Sequence, residues 1–369
     1  MKKWIAGLLC LLMVVLFCAC DKQGKITTGD SQNDGNFEII DMCDRTVTIP
    51  TDAKSFACIG PGCLRLYCYV ADESKLAGIE EVEKSWGEGG RTYRMAMENV
   101  EEYAIIGPGG PGNAPDAEML FAAKPDVIFS CYAMEKAEID ELQKKINIPI
   151  VILSYGEASL FAEEINESLR IIGKVTGNTK RAESLITYLT DAKEDLMSRT
   201  AGVKTPVRAY LGCQSNRGAH GIESTTGDYP MFDVLHAENV VATAGINQYI
   251  MLDKEKLVEM NPEVIIIDAG GLSILQEDYK ANPKFYNSLS AVKNGKVYLQ
   301  MPFNYYHTNI DIALADAYYI GKVLYPELFA DIDPAEKFDE ITMEMLGIKA
   351  YDKIAESYYG GFQSVKLGK

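Results

Sequence analysis

Residues 180–199, KRAESLITYLTDAKEDLMSR, decide the fold, because they form one uninterrupted helical pattern with a single apolar face. Thr176-Gly177-Asn178 predicts that the helical pattern is interrupted just before this helix. At 1.5 Å per residue the helix is roughly 30 Å long, enough to cross from one lobe to another. Its apolar side chains recur three or four positions apart, the spacing of one buried face: Ala182, Leu185, Ile186, Leu189, Ala192 and Leu196.

Short apolar strands, each followed by a turn and a helical pattern, occur on both sides of this helix. Such alternation favours parallel sheets covered on both faces. The sequence predicts an α/β protein with two Rossmann-like lobes, each a parallel-type sheet flanked by helices, joined by one long interlobe helix. The expected boundaries are residues 37–179, 180–201 and 202–369. The strands are predicted at residues 55–59, 76–79, 125–130 and 149–153, and again at 207–212, 264–268 and 296–299.

The amino terminus carries an export signal. Lys2 and Lys3 precede an apolar run at residues 4–17 that is too short to span a membrane comfortably. The run ends at FCAC, residues 17–20, which is similar to a bacterial lipobox and makes Cys20 the expected lipidation site. We therefore expect a signal peptide at residues 1–20, a flexible tether at 21–36, and a lipid-anchored protein on the extracytoplasmic face of the membrane. A plain secretory signal is the alternative, and Cys18 leaves the cleavage site open.

Composition excludes several kinds of protein. A formal net charge of −17 argues against nucleic acid as a partner. Six cysteines follow the export segment, and those in apolar strands are expected to act as small hydrophobic residues rather than disulfides. Three histidines are sparse for a structural zinc site. A G-x-S-x-G nucleophile elbow is absent from the sequence, so we do not expect an enzyme, although 53 acidic residues permit a carboxylate pair of the glycosidase type.

Several short segments, taken together in their order along the chain and their spacing, resemble the substrate-binding proteins of ABC importers. The class that they resemble handles iron-siderophores, haem and cobalamin. The resemblance covers nearly all of residues 36–345. It is carried by the hairpin at 40–50, the turn at 57–62, LFAAKPDVI at 120–128, IIG at 171–173 with Gly177, and KNGKVY at 293–298.

The resemblance implies a monomeric binding protein without a cofactor of its own, partnered by a membrane permease and its ATPase. An iron(III) chelate of the siderophore type is the expected ligand. The alternatives are haem or a corrinoid, a bare metal ion, or an oxyanion, and an exported hydrolase is the least favoured. Three segments depart from the best-known members and leave the ligand open: residues 60–65, 107–113 and 303–309.

Ligands of open α/β sheets bind beyond the carboxyl ends of the strands, so the turns there hold the candidate residues. Glycine turns allow close approach, helix amino termini favour anions, and an arginine suits carboxylate or phosphate oxygens. Tyrosine and tryptophan offer flat area with a polar tip, which suits a large chelate. The candidates are Gly60, Gly62, Arg65, Trp86, Arg91, Tyr93, Gly109, Asn113, Tyr132, Tyr155, Arg217, His220, Tyr305, Tyr306, His307 and Asn309.

Two further sets of residues follow. Tyr305, Tyr306 and His307 could ligate a ferric ion directly through phenolate and imidazole. The resemblance also implies one acidic residue on each lobe that pairs with arginines of the permease. The matching positions are Glu135 or Glu138 in the first lobe and Asp233 or Glu238 in the second.

Overall fold

The computed structural model describes residues 35–156 and 160–368. The predicted signal peptide, the lipidation site at Cys20 and residues 21–34 of the predicted tether lie outside the described residues. Among the helices that are described, none is long and apolar enough to cross a membrane.

The first lobe is built on a four-stranded, fully parallel sheet of order β4-β3-β5-β6, preceded by the antiparallel hairpin β1-β2. Nearly every residue of the sheet is buried, as expected for strands covered by helices on both faces. The strands are β1 (Asn36–Ile40), β2 (Thr46–Pro50), β3 (Phe56–Ile59), β4 (Leu76–Gly78), β5 (Val127–Ser130) and β6 (Ile150–Ile152). The helices are α1 (Cys63–Val70), α2 (Glu81–Ser85), α3 (Thr92–Ala96), α4 (Ala117–Ala123), α5 (Lys136–Ile146) and α6 (Glu163–Thr176), with 3-10 turns at Glu73–Lys75 and Val100–Glu102.

After helix α7 (Thr179–Thr200), the second lobe has a five-stranded sheet of order β13-β12-β11-β7-β9, in which only β13 runs antiparallel, and a separate β8-β10 pair. Its strands are β7 (Arg208–Gly212), β8 (Ser224–Thr226), β9 (Glu238–Asn239), β10 (Tyr249–Met251), β11 (Val264–Asp268), β12 (Val297–Gln300) and β13 (Gln363–Ser364). Its helices are α8 (Pro230–Val234), α9 (Val240–Thr243), α10 (Lys254–Met260), α11 (Leu272–Ala281), α12 (Pro283–Tyr286), α13 (Ser290–Lys293), α14 (Ile310–Leu324), α15 (Pro334–Leu346) and α16 (Tyr351–Ser357), with a 3-10 turn at Ala269–Gly271.

Helix α7 joins the two lobes. Helix α6 ends at Gly177, whose φ of 76° is left-handed, as predicted. All six residues of the predicted apolar face of α7 are buried. The helix packs on α6 and α1 of the first lobe and on α8 and α14 of the second. The prediction of two α/β lobes on one long helix is thus confirmed.

Two features differ from the expected boundaries. Asn36, the last residue of the predicted tether, belongs to β1 because it pairs with Pro50. Helix α15, expected in the second lobe, also packs on α1 and α3 of the first lobe. Arg181 on α7 also holds α15 in place, because it donates a 3.1 Å hydrogen bond to the carbonyl of Met345. Helix α15 therefore bridges the lobes together with α7.

Candidate functional site

A cleft of about 1160 Å³ lies between the lobes, beside the turns that follow their parallel strands. The first lobe supplies few of its walls, chiefly Pro61, Trp86, Pro111 and Leu160. Most of the lining comes from the second lobe and combines carboxamides with aromatic rings. These residues include Gln214, Asn216, Asn247, Gln248, Asn304, Tyr229, Tyr249, Phe303, Tyr305 and Tyr358.

Residues 304–308 form a tight loop that projects toward the first lobe. Asn304 and Thr308 pair as an antiparallel bridge, and the Tyr305 amide donates a 3.1 Å hydrogen bond to the carbonyl of His307. Tyr306 and His307 both have left-handed φ angles, 51° and 75°. A non-glycine residue in this region costs about 1–2 kcal/mol, so the loop needs outside support.

Arg65 on α1 provides that support from the first lobe. Its fully buried guanidinium donates to the carbonyls of Tyr305 at 2.7 Å, Thr308 at 3.0 Å and Tyr306 at 3.2 Å. Three acceptors in a fixed arrangement match the planar donor fork of arginine. The predicted anion-binding arginine thus faces backbone carbonyls in this structure.

Glu80 is the second cross-lobe contact, and the sequence analysis missed it. Its buried carboxylate accepts hydrogen bonds from the Gly60 amide at 3.0 Å and from the phenols of Tyr132 and Tyr306, each at 2.8 Å. Burial raises the pKa of Glu80, and these three donors oppose the rise. An acidic residue two positions after a buried strand was the available signal. We call Arg65, Glu80 and residues 304–308 the interlobe clasp.

Tyr306 is fully engaged within the clasp. Its hydroxyl donates to Glu80 and accepts a 2.9 Å hydrogen bond from the Gly110 amide, while its ring lies edge-on to Trp86 with centroids 5.2 Å apart. Burial and the Glu80 charge raise the pKa of the phenol, which disfavours the phenolate. His307 stacks on Tyr155 at 4.0 Å, and burial, with Arg65 nearby, lowers its pKa to about 4.

Direct ligation of iron by Tyr305, Tyr306 and His307 stays a prediction. These residues are adjacent, but the Tyr306 hydroxyl is committed to Glu80, and His307 Nδ1 accepts the Thr308 amide at 3.0 Å. Within residues 35–156 and 160–368, no group of three or more histidine, cysteine or acidic side chains is placed to hold a metal ion.

Two other predicted first-lobe residues lie behind the cleft rather than on it. Arg91 is fully buried and forms a 2.6 Å ion pair with Glu83, which also accepts the Tyr93 hydroxyl at 2.9 Å. Tyr93 in turn lies under the Arg65 guanidinium, 4.9 Å from its ring centroid. These residues support Arg65 as part of the first-lobe core.

The predicted glycine turns are shaped by contacts within the protein. Gly62 has a φ of 75°, and a Cβ there would lie 2.6 Å from the Tyr155 hydroxyl, while a Cβ on Gly60 would lie 2.7 Å from the Tyr132 amide. A Cβ on Gly109 would lie 2.6 Å from Val82 and 2.8 Å from Glu80. Exposed Asn113 donates a 2.6 Å hydrogen bond to the Gly109 carbonyl. These turns seat Tyr132, Tyr155 and Glu80.

The remaining candidates lie in the second lobe. Arg217 is exposed at the cleft, where a left-handed φ of 53° at the loop tip positions it. His220 is half-buried, its Nε2 2.8 Å from the Asn216 carbonyl, and Asn309 is buried, donating to the carbonyl of Phe303 at 3.0 Å. Of the predicted residues, those that line the cleft are Trp86, Arg217, Tyr305, Tyr306 and His307.

The expected docking residues and cysteines also have defined positions. Exposed Glu135 and Glu138 form the capping box of α5, and Asp233 is exposed on α8. Glu238 pairs with Arg208 at 3.4 Å. All six described cysteines carry free thiols: Cys43, Cys58, Cys63, Cys68, Cys131 and Cys213.

Two α/β lobes, one connecting helix and a cleft at the strand ends define a two-lobed solute-binding protein. A family model described as periplasmic binding protein matches residues 87–302, more than half of the chain. The chain belongs to the periplasmic binding protein family.

Relatives agree with this assignment. The chain is 21% identical over 262 residues to the uncharacterized ABC transporter substrate-binding lipoprotein YvrC of Bacillus subtilis strain 168, covering 70% of this chain and 76% of YvrC. It is 24% identical over 189 residues to the Fe(3+)-citrate-binding protein YfmC of the same organism, covering 51% and 58%. The molybdate periplasmic binding protein MolA of Haemophilus influenzae superposes with a TM-score of 0.66 at 20% identity, over 85% of this chain and 98% of MolA. At this identity the likeness to MolA concerns the fold alone.

Proposed function

We propose that this chain is the substrate-binding lipoprotein of an ABC importer and that it captures an organic metal chelate, an iron(III) complex of the siderophore type, between its lobes. The observation that carries the proposal is the cleft of about 1160 Å³, lined by aromatic and carboxamide side chains. Pockets for drug-sized molecules are typically about 300–1,000 Å³, so this cleft suits a ligand at or above that size. YfmC, a relative, is named as a ferric citrate binder.

The lining favours a chelate over a bare ion or a small oxyanion. A bare transition metal needs several converging ligands; among the described residues no three histidine, cysteine or acidic side chains converge, and the Tyr306 hydroxyl and His307 Nδ1 already have hydrogen-bond partners within the protein. An oxyanion would fill little of the cleft. A chelate brings its own metal ligands and needs only a shaped wall with hydrogen-bonding groups.

Delivery follows from the same proposal. Acylation at Cys20 would hold the protein at the membrane, and the loaded lobes would dock on a permease driven by its ATPase. Glu135 or Glu138 and Asp233 or Glu238 are the proposed docking residues. In support, Glu135, Glu138 and Asp233 are exposed.

Trp86 offers a direct test. The chain has two tryptophans, and the other, Trp4, lies in the predicted signal peptide, so the fluorescence of the mature protein reports on the cleft. Titration with ferric citrate, a ferric trihydroxamate, a ferric tricatecholate, haemin and cobalamin should give saturable quenching with at least one ferric chelate. Molybdate and uncomplexed ferric ion should give none. Binding of molybdate or the free ion alone would refute the chelate, and binding of haemin or cobalamin alone would reassign the ligand.

A matched control separates binding from inner-filter absorption by coloured ligands. Phe121 on α4 is 59% exposed and lies outside the cleft lining. In a Trp86→Phe, Phe121→Trp variant, the saturable change should be smaller, because the new tryptophan lies outside the cleft lining, whereas any absorption artefact persists at full size.

A further inference from the structure

We infer that the chelate carries little or no net charge, presents amide or hydroxamate groups to the second lobe, and has at most one anionic group, which faces Arg217. This inference rests on the proposed function and narrows its substrate class. It follows from the charges and hydrogen-bonding groups around the cleft.

The cleft has almost no charge of its own. Among the described residues that line it, Arg217 and Asp228 are the charged side chains, and both are exposed. They carry opposite charges, so the wall as a whole is close to neutral. Lysine is absent from this described lining.

The cations behind the wall are already engaged. Arg65 donates to three carbonyls, and Arg91 and Arg94 lie 2.6 and 3.6 Å from Glu83. Two further buried carboxylates lie in the same region, Glu80 in the clasp and Asp311, which accepts the Tyr69 hydroxyl at 2.7 Å. The buried layer therefore offers no surplus positive charge to a ligand.

This balance disfavours a multiply charged anion. A ligand with three negative charges would meet one exposed guanidinium and an exposed carboxylate, on a protein of net charge −17. Transfer of unpaired charges from water into a partly closed cleft is costly. Recognition of such an anion would require additional cations in the wall.

Neutral polar groups, in contrast, are abundant. The carboxamides of Gln214, Asn216, Asn247, Gln248 and Asn304 can each donate and accept hydrogen bonds. The Oε1 atom of Gln214 is buried without a partner among the described residues. Asn304 donates its amide to the Ser215 carbonyl at 2.9 Å, which fixes the orientation of that carboxamide. Such a wall complements a ligand rich in amide or hydroxamate groups.

The decisive experiment compares two hexadentate ferric chelates by calorimetry on the mature protein, a neutral trihydroxamate and a tri-anionic tricatecholate. We expect the neutral chelate to bind at least about 10-fold more tightly, the equivalent of about 1.4 kcal/mol. Its affinity should change little between low and high salt, because screening acts on charged partners. Equal or tighter binding of the tricatecholate would overturn the inference and leave the proposed function standing. Failure of every ferric chelate to bind would refute both the inference and the proposed function.

A charge-gain variant tests the same point from the protein side. Gln248 lines the cleft and is exposed, so Gln248→Lys adds a cation to the wall. We expect it to shift the affinity ratio toward the tricatecholate by roughly 3- to 10-fold. Met197→Lys, on the exposed part of α7, adds the same charge away from the cleft and should leave the ratio unchanged. An equal shift in both variants would mean that net charge, not the wall, controls selection.

Discussion

The Tyr306 hydroxyl donates a 2.8 Å hydrogen bond to the Glu80 carboxylate, joining the two lobes through residues 226 positions apart in the chain. Glu80 in turn accepts the Gly60 amide and the Tyr132 phenol, so the contact is tied into two turns of the first lobe. Because every member is buried or half-buried, breaking the contact leaves polar groups without partners. The lobes are therefore coupled by their own side chains as well as by α7.

Removing this contact should lower the stability of the protein. We expect Tyr306→Phe and Glu80→Gln each to reduce the free energy of unfolding by about 1–3 kcal/mol in urea, with a coupling energy of about 0.5–3 kcal/mol in the double variant. Tyr305→Phe is the matched control, because the Tyr305 hydroxyl makes no hydrogen bond with the described residues and its loss should cost under about 1 kcal/mol. Fully additive effects of the two substitutions would show that the pair does not interact in solution.

Arg65→Lys should loosen the 304–308 loop. A lysine ammonium cannot reproduce the fork that reaches three carbonyls, so the left-handed residues Tyr306 and His307 lose their support. We expect a loss of about 2–4 kcal/mol in unfolding free energy and faster hydrogen exchange at the amides of residues 305–309. Arg170→Lys on α6, a half-buried arginine paired with the exposed carboxylates of Glu163, Glu167 and Glu183, is the control and should cost under about 1 kcal/mol and leave the loop exchange unchanged. Unchanged exchange in the loop would contradict the assigned role of Arg65.

Local patterns in the sequence sufficed for helix α7 and the longer buried strands, but the short strands β8, β9, β10 and β13 were not predicted. The spacing of Leu185, Leu189 and Leu196 identified α7, and Gly177 marked the end of the preceding helix α6, where it adopts the left-handed C-cap conformation. Both signals lie within a few residues of the feature that they predict. Helix periodicity and capping are short-range effects, which a single sequence displays directly.

The site was predicted less completely because it depends on contacts between distant residues. Arg91 and Tyr93 have the right residue types for a cleft, but Glu83 pairs with both and holds them in the core. Glu80 was missed because its place two positions after a buried strand does not indicate its partner Tyr306, and nothing near Tyr358 in sequence indicates the cleft. The clasp appears only when the two lobes are placed together.

His307 should make stability depend on pH in the acidic range. Its pKa is about 4 in the folded protein, below the ordinary value of 6.5, so the unfolded chain binds the proton more readily between these values. Stability is fully present above pH 6.5 and is lost as the pH falls toward 4, by about 2 kcal/mol between pH 7.5 and 5. His307→Asn tolerates the left-handed backbone and cannot ionise, so urea unfolding of this variant should lack that part of the loss. Parallel pH curves for the two proteins would exclude a buried neutral imidazole.

Asp268 should make the stability of the protein fall as the pH rises, opposite to the effect of His307. It is fully buried at the end of β11, where burial raises its pKa to about 7 although the Gly270 amide donates to it at 2.8 Å. The folded protein therefore holds this proton more tightly than the unfolded chain, and ionisation destabilises the fold as the pH rises from about 4 to 7. Asp268→Asn keeps an acceptor for Gly270, so its stability relative to wild type should improve by roughly 3 kcal/mol between pH 5 and 8. Asp331→Asn is the control. Arg199 lowers the pKa of exposed Asp331 to about 2, so Asp331 is ionised throughout this range. The difference in unfolding free energy between this variant and wild type should therefore stay constant from pH 5 to 8. A constant difference for Asp268→Asn as well would mean that Asp268 is already ionised at pH 5.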